Sequence, residues 1–417
     1  MNSGHETWVL LVGAAVVLAA ALQALAHRTR VPAVVGYLLL GLGLGAIEAR
    51  WQPLGEAGLQ AFALLADLGL VVLLFRVGLD SDLAGLARKL RPAALVWIGN
   101  VALAGVLGYA AARFGGLDEV ASALCAVALT ATSIAVSAAV WEEAGALDSP
   151  DGQLMLDVAE LDDISGIALM ALMFAVAPLL ASGVGAPTAL LPALTQAGAW
   201  FALKFVVFAA ACWLVMRYLE RPLTHAVLRL ERPPQRMLSV VGAGFLVAAL
   251  AGSLGFSLAL GALFAGLVFS RDPEAVRSEG RLGDVHALLA PFFFIGIGLQ
   301  VELGALGDGL ALGALLLSAA VVGKLLGAGL PALLATNRRG AALIAASLIP
   351  RAEIAMVVAF QGRAAGLLPQ RAYAALVLVA AATCLLGPWL VRALMGSDVA
   401  AQRSRAAGRI RRERAER

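Results

Sequence analysis

The chain has 417 residues, of which 61% are hydrophobic and only 14% are charged, and its formal net charge at pH 7 is +3. A soluble protein of this length must cover itself with polar side chains, so this balance excludes that class and indicates that lipid is the main solvent. Apolar runs of about 20 residues recur, and in lipid their backbones can be satisfied only as helices or as a closed barrel. Because the runs lack the alternation of strands, the sequence predicts an all-α polytopic membrane protein.

The apolar runs predict about thirteen transmembrane helices. Some runs exceed the length that a crossing needs, and we attribute the excess to tilted or interfacial turns. In chain order the spans run at about 8–26, 32–48, 58–79, 92–113, 118–140, 154–181, 188–217, 237–253, 256–271, 286–301, 306–335, 340–363 and 370–396.

The basic residues of the loops predict the orientation. An odd number of spans places the termini on opposite sides, and Lys and Arg are enriched in cytoplasmic loops. With the N-terminus outside, only Arg50, Arg113 and Arg371 remain on the outer side. We therefore expect a multi-pass protein of the bacterial inner (plasma) membrane with a cytoplasmic C-terminus. The inward set comprises His27 to Arg30, Arg88, Lys89, Arg91, the segment 217–236, Arg271, Arg277, Arg281, Arg338, Arg339 and the tail.

Residues 397–417 are predicted to form a basic cytoplasmic tail. Seven arginines lie between positions 403 and 417. No basic domain surrounds them, so we expect a solvated, disordered arm near anionic membrane lipid and no nucleic-acid partner.

Two breaks that recur at one offset indicate an internal repeat. Gly78-Leu79 ends the third span, and Gly298-Leu299 ends the tenth span 220 residues later. At the same offset, the polar stretch 130–133 in span five corresponds to 350–353 in span twelve. Six spans, a linker span and six more spans would form two inverted-topology six-helix repeats, as in many secondary transporters.

Two adjacent carboxylates, Asp162 and Asp163, lie inside span six. At 1.5 Å per residue, Asp163 lies about 13 Å from the cytoplasmic start of the span near Leu154. At that depth an unpaired carboxylate costs at least a few kcal/mol, and repulsion between neighbours adds to the cost. Such a carboxylate can exchange protons, and when ionised it offers hard oxygen ligands to a small cation. Competition between proton and cation is sufficient for antiport; the alternative is a structural carboxylate satisfied by a basic neighbour.

Lys324, inside span eleven, is the candidate partner of Asp162. Adjacent helix positions point about 100° apart, so one aspartate should face a water-filled cavity and the other a partner in the bundle. Gly323 and Gly327 flank the lysine and allow another helix to approach closely. The alternative is a lysine that snorkels to the interface.

Three hydroxyl side chains, Thr130, Thr132 and Ser133, interrupt span five. They are candidate ligands for the ion. In helices such hydroxyls often bond back to their own turn, and that alternative stays open.

Pro350 interrupts span twelve and is followed by Arg351 and Glu353. Proline removes a backbone donor and can break a helix. Two interrupted helices crossing at the midplane would present half-helix dipoles and free carbonyls to an ion. We expect Arg351 and Glu353 to neutralise the broken ends or to pair with each other.

Taken in chain order, these features resemble the membrane domain of monovalent cation:proton antiporters, in the Kef-type and NapA-like branch of the sodium/hydrogen exchanger family. The resemblance covers about residues 8–396. Each fragment is short, but their common order is specific. The fragments are Arg30-Val31-Pro32 with Gly36-Tyr37, Leu73-Leu74-Phe75 with Gly78-Leu79, Thr130 to Ser133, Asp162-Asp163, Gly261-Ala262 with Ala265-Gly266, Pro291-Phe292-Phe293 with Gly298-Leu299, Gly323-Lys324, and Arg351 with Glu353.

The resemblance implies a role for each site residue. Asp163 would bind the transported monovalent cation, Na⁺ or K⁺, transiently and in competition with a proton. Asp162 would pair with Lys324 beside the crossed helices. The transporter would work as an elevator and a homodimer, and paired-aspartate members are generally electrogenic. No enzyme activity and no cofactor are expected.

The resemblance also implies a division of the membrane domain, residues 1–396. Scaffold and dimer-forming spans would lie at about 8–79 and 237–301, and core spans at about 92–181 and 306–396. A linker span at about 188–217 would join them, followed by the tail 397–417.

The alternatives differ in cation, substrate or chemistry. Kef-type potassium efflux transporters typically have glutamine where this chain has Asp162, and a soluble nucleotide-binding domain follows their membrane part; we expect no such regulatory domain here. A sodium-coupled organic solute symporter of related fold would not need paired aspartates backed by Lys324. An intramembrane aspartyl protease needs carboxylates on two facing helices, whereas Asp162 and Asp163 share one helix. A receptor that transports nothing would leave the costly midplane charges unexplained.

Overall fold

The computed structural model describes residues 3–29, 31–80, 90–181, 187–219, 236–253, 258–270 and 279–415. In these residues every regular element is a helix and none is a strand, which confirms the all-α class. Six helical segments of the described chain are long and apolar enough to cross a membrane, and shorter apolar helices accompany them. The protein is therefore a polytopic helical membrane protein.

Each of the thirteen predicted spans overlaps one helix or two successive helices. The fourth helix, α4, begins after residues 81–89, which lie outside the described part of the chain. In chain order the helices are α1 (Ser3–Thr29), α2 (Ala33–Trp51), α3 (Gly55–Asp80), α4 (Leu90–Phe114), α5 (Glu119–Thr130), α6 (Ile134–Glu143), α7 (Pro150–Ala181), α8 (Pro187–Leu214, continued by a π-helical turn Val215–Leu219), α9 (Arg236–Ser253), α10 (Leu258–Phe269), α11 (Glu279–Leu299), α12 (Leu303–Gly327), the short α13 (Gly329–Ala332), α14 (Arg338–Ser347), α15 (Glu353–Ala364) and α16 (Gln370–Ala415).

Two spans are interrupted near their middle, where the sequence placed polar breaks. Span five forms α5 and α6, which are separated at residues 131–133. Span twelve forms α14 and α15, which are separated at residues 348–352. Pro350 lies in the second gap, lacks a backbone N–H and disfavours helical geometry in the residue before it, so the helix ends there. The predicted unwound helices are confirmed.

The basic tail differs from the expectation. Its backbone forms a helix up to Ala415, separated from the rest of α16 by Gly396, whose φ is 34° and ψ is −124°. Alanine and arginine, which dominate the tail, are among the best helix formers. The expectation of a disordered arm was therefore wrong for the described part of the tail.

One packing group is built from α2, α3, α10 and α11. The helices touch at paired glycines: Gly78 of α3 lies against Gly266 of α10, and Gly41 of α2 lies against Gly298 of α11. A Cβ atom on Gly78 would overlap the Leu263 carbonyl oxygen, so only glycine allows this separation. Gly78 and Gly298 lie 220 residues apart, which is the offset of the predicted repeat, so that prediction relates the two contacts to each other.

A second packing group is built around α4, α5, α7, α12, α15 and α16, with α14 against α16. In it α4 packs along α12, while the half-helices α5 and α15 pack on each other. The two groups also meet, for example where the rings of Phe293 and Phe360 lie 6.0 Å apart. The crossing of the interrupted helices therefore lies inside the second group.

Candidate ion-binding site

The two interrupted helices are joined through their backbones. The amide nitrogen of Ser133 donates to the carbonyl oxygen of Pro350 at 2.8 Å. Farther along, the Ser137 hydroxyl donates to the Ser347 carbonyl, and the Trp141 indole N–H donates to the Ser347 hydroxyl at 2.8 Å. The crossing is thus held by polar contacts between α6 and the end of α14.

Cationic side chains satisfy the free carbonyls at the broken ends. Arg351 donates to the carbonyl oxygen of Leu129 from Nε at 3.2 Å and from Nη2 at 2.6 Å, and to that of Ile349 from Nη1 at 2.6 Å. Lys324 Nζ donates to the Thr130 carbonyl oxygen at 2.5 Å. The last carbonyls of a helix carry partial negative charge and have no partner in the helix, so a cation stabilises them.

Asp162 is completely buried and surrounded by donors. Its Oδ2 atom lies 2.9 Å from Lys324 Nζ and accepts from the Thr132 hydroxyl at 2.6 Å. Lys324 is also fully buried and donates to the Thr132 hydroxyl oxygen at 2.9 Å. A buried ion pair requires such additional hydrogen bonds to offset the loss of hydration. Of the two alternatives for Lys324, the structure shows the buried pair and not the snorkelling side chain.

Asn100 of α4 is a fourth member of this network that sequence reasoning missed. Its Nδ2 atom donates to Asp162 Oδ1 at 2.8 Å and to Oδ2 at 2.6 Å, and its side chain is completely buried. In the sequence, Asn100 is a polar amide within span four, and this alone indicates neither its partner nor its role.

Asp163 differs from its neighbour because its Oδ1 atom is buried and accepts no hydrogen bond from the described residues. Its exposure is 5%. The buried Ser133 hydroxyl faces Glu353 and likewise makes no hydrogen bond of ordinary geometry with the described residues. Glu353 and Asp162 both repel an ionised Asp163. Since an unpartnered buried oxygen is costly, Asp163 retains capacity for a proton or a cation, and the Ser133 hydroxyl oxygen retains capacity for a cation.

Thr130 has another contact than the ion ligand that was predicted, and for Arg351 the structure shows one of the two alternatives. The Thr130 hydroxyl donates to the Val127 carbonyl oxygen at 2.7 Å, so it bonds back to its own helix and only its carbonyl joins the network. Among the described residues no ion pair joins Arg351 and Glu353, because Arg351 is bound to backbone carbonyls. Glu353 lies in the first turn of α15, where a carboxylate complements the helix dipole.

Comparison with known proteins places the chain in a family. Residues 13–395 match the family described as "Sodium/hydrogen exchanger, transmembrane". The Na(+)/H(+)-K(+) antiporter GerN of Bacillus cereus is 27% identical over 379 residues, which cover 89% of this chain and 92% of GerN. The glutathione-regulated potassium-efflux system protein KefC of Klebsiella pneumoniae is 31% identical over 298 residues, covering 69% of this chain and 44% of KefC.

A solved structure shares the fold. The sodium proton antiporter MjNhaP1 from Methanocaldococcus jannaschii superimposes with a TM-score of 0.70 at 15% identity, over 95% of this chain and 99% of the other. The family match spans most of the chain, from α1 to the end of the membrane-spanning part of α16. This chain belongs to the sodium/hydrogen exchanger family, of which it carries the transmembrane domain.

Proposed function

We propose that this protein is a secondary active antiporter that exchanges a monovalent cation, Na⁺ or K⁺, for protons. One observation carries the proposal: of two adjacent buried carboxylates, Asp162 is saturated with donors, while one oxygen of Asp163 has no partner among the described residues. An oxygen of this kind can be satisfied by a proton or by a cation, and the two exclude each other. That competition couples the two fluxes.

The contacts support a division of roles among the site residues. Asp163 binds the cation or the proton, and the Ser133 hydroxyl is the nearest candidate for a second ligand. Asp162 and Lys324 form the adjoining pair, which Thr132 bridges. Arg351 and Glu353 compensate the broken helix ends. Thr130 contributes through its carbonyl oxygen.

The movement that we propose is an elevator. The group of α2, α3, α10 and α11 would remain fixed as a scaffold, corresponding to spans at about 8–79 and 237–301. The group that contains the crossing, about 92–181 and 306–396, would slide along it, with α8 as the linker between them. The paired glycines of the first group support a rigid scaffold, because they leave no slack between its helices. We further propose that the scaffold forms a homodimer and that the exchange is electrogenic.

We propose a bacterial inner (plasma) membrane location with the N-terminus outside and the C-terminus cytoplasmic. The support is the distribution of basic residues along the sequence. Several of these, including Arg88, Lys89, Arg271 and Arg277, lie outside the described residues.

Potassium efflux of the Kef type is the second candidate. The names of GerN and KefC both include potassium, which supports K⁺ as a candidate for the transported cation in addition to Na⁺. The glutamine typical of Kef-type proteins is replaced here by Asp162, which favours coupling to protons. The cation must be identified by measurement.

The test is proton movement in proteoliposomes with a trapped pH dye, driven by Na⁺, K⁺ or choline. We expect Na⁺ or K⁺, but not choline, to dissipate a proton gradient, and Asp163→Asn to abolish the signal. The matched control is Asp308→Asn, an exposed carboxylate of α12, which should transport normally. Folded wild-type protein that couples no monovalent cation to protons would refute the proposal and leave a solute symporter as the leading alternative.

A further inference from the structure

Asn100 is the residue of the site to which the proposed function gives no role. It is completely buried in α4, and its Oδ1 atom has no hydrogen-bond partner among the described residues. A buried amide oxygen without a partner destabilises a protein by about 1–3 kcal/mol. Packing alone would be served better by an apolar side chain of similar volume. The compensating interaction is on the other side of the amide, where Nδ2 donates to both oxygens of Asp162.

The orientation of this amide depends on the charge of Asp162. Turning the amide over would place its oxygen against the carboxylate oxygens, which repel it when Asp162 is ionised. Two donated contacts of 2.6 and 2.8 Å are in the range of charge-assisted hydrogen bonds. Asn100 is therefore arranged for an ionised Asp162.

The position of Asn100 follows from the close approach of α4 and α12. A Cβ atom on Gly327 would lie 2.7 Å from the Gly99 carbonyl oxygen and 3.2 Å from the Asn100 Cα atom. Asn100 directly follows Gly99, and Lys324 lies one turn before Gly327. The glycine contact thus brings an amide from α4 and an ammonium from α12 onto the same carboxylate of α7. A second contact holds α4 to α7: Trp97 Nε1 donates to the Ser165 hydroxyl at 3.0 Å.

We infer that Asn100 is a positioning residue that keeps Asp162 ionised and in place, so that Asp162 does not itself take up the proton or the cation that compete at Asp163. The inference rests on the proposed antiport function. The Asp162 carboxylate would otherwise depend on Lys324 and Thr132 alone. With Asn100 present, the carboxylate keeps two neutral donors and its geometry even if the ammonium moves away or loses its proton during the cycle.

Other charged groups surround Asp162 and do not substitute for the amide. Lys324 faces it from α12, and Arg351 acts on it from the segment between α14 and α15. Asp163 on the same helix repels it, and Glu353 of α15 repels Asp163. Lys324 and Arg351 also donate hydrogen bonds to backbone carbonyls, so neither cation interacts with Asp162 alone.

The first test is the pH profile of transport for Asn100→Ala and for Asn100→Leu, which keeps the number and branching of the side-chain heavy atoms but not the donors. Hydrogen bonds to an ionised group are worth about 1.5–3 kcal/mol, and 1.36 kcal/mol corresponds to one pH unit. Removing the donors disfavours the ionised form, so we expect half-maximal activity to move to higher pH by about one to two units. The apparent cation affinity at the new optimum should change little, because Asp163 is intact.

The control is Ser122→Ala, which removes another fully buried polar group. Among the described residues its hydroxyl is bonded only to the Leu117 carbonyl. This variant should lower stability without moving the pH profile. A purely structural Asn100 would behave in the same way, with an activity loss that is equal at every pH and follows the loss of folded protein. That result, or unchanged profiles in both variants, would overturn the inference.

Infrared difference spectra across the same pH range test the inference without transport. We expect Asn100→Ala to gain a second protonated-carboxyl band at intermediate pH, in addition to the signal of Asp163. This second band should disappear when Asp162→Asn is added and should be missing from the wild type. Absence of the band would count against the positioning role. If the wild-type protein moved no protons with any cation, the proposed function would fail, while the spectra would still decide the role of Asn100.

Discussion

The amide nitrogen of Ser133 and the carbonyl oxygen of Pro350 are joined by a 2.8 Å hydrogen bond, although 217 positions separate the two residues along the chain. This bond ties the gap between α5 and α6 to the gap between α14 and α15. It fixes where the free ends of four half-helices converge, and all the charged residues of the site lie around that point.

Lys324→Ala should strongly destabilise the protein. Breaking a buried pair by removing one partner costs about 3–5 kcal/mol, because the remaining charge is left buried without compensation. Adding Asp162→Asn should restore part of the stability, since no uncompensated charge then remains. Thermal unfolding in detergent would measure both effects.

The control for that experiment is Lys204→Ala. Lys204 is exposed on α8, with its Nζ atom 5.6 Å from the centre of the Trp200 ring. We expect a change within about 0.5 kcal/mol, as for surface substitutions. If the Lys324 and Lys204 variants lost stability equally, the buried pair would have no special importance.

Arg351→Lys should lower stability although it keeps the charge. The guanidinium reaches two carbonyl oxygens, those of Leu129 and Ile349, at 2.6 Å each. A lysine ammonium has no planar fork and cannot reproduce both contacts from one position. One buried carbonyl would be left without a donor, at about 1–3 kcal/mol. Arg363→Lys, at a half-exposed residue 3.5 Å from Glu302, is the comparison, and equal melting temperatures for the two variants would contradict the prediction.

Thr132→Val should impair transport far more than Thr130→Val. The Thr132 hydroxyl bridges Asp162 and Lys324, whereas that of Thr130 only bonds back to Val127 in its own helix. Both changes remove one hydroxyl and add one methyl group, so each is the control for the other. We expect a loss of at least about tenfold in cation-driven proton flux for Thr132→Val, equivalent to about 1.4 kcal/mol. Equal effects would show that the bridge has no part in transport.

Gly78→Ala should prevent normal packing of α3 on α10. The added Cβ would overlap the Leu263 carbonyl oxygen and would lie 3.0 Å from the Gly266 Cα atom. Backbone atoms cannot give way as a flexible side chain can, so the helices must separate and lose contact along their length. We expect a marked loss of folded protein in detergent-solubilised membranes, measured by fluorescence-detected gel filtration.

Gly43→Ala is the matched control for Gly78→Ala. Gly43 lies in the helix α2, and a Cβ there would meet nothing within 4 Å. Alanine has the higher helix propensity, so the variant should be neutral or slightly more stable. A normal yield of Gly78→Ala would mean that the contact is looser than the structure shows.

The sequence predicted the features that depend on one residue type at one position. Pro350 and the hydroxyl run at 130–133 located both helix breaks, because an absent N–H or a competing hydroxyl acts locally. Asp162 and Lys324 could be matched because charges in an apolar run are rare and must be compensated. These signals are strong wherever lipid surrounds the chain.

Other features arise only from packing and could not be predicted. Asn100 is a polar residue without a motif, and its partner is set by the glycine contact between α4 and α12. For Thr130 the choice between an ion ligand and a bond to its own turn depends on the rotamer, and the structure shows the second. For Arg351 the sequence allowed either the broken helix ends or Glu353 as the partner. The structure shows the broken ends, whose free carbonyl groups exist only because the helices are interrupted.

The charges around the crossing have a consequence for coupling. Two cations, Lys324 and Arg351, face three carboxylates, Asp162, Asp163 and Glu353. When all five are ionised, this set carries one net negative charge, and a net charge is costly to carry through hydrocarbon. In the elevator that we propose, one bound monovalent ion would make the set electroneutral. The loaded carrier would then cross more easily than the empty one, which would suppress its return without an ion. A second proton would make the set positive, and a membrane potential of 100 mV would then act on its passage with about 2.3 kcal/mol.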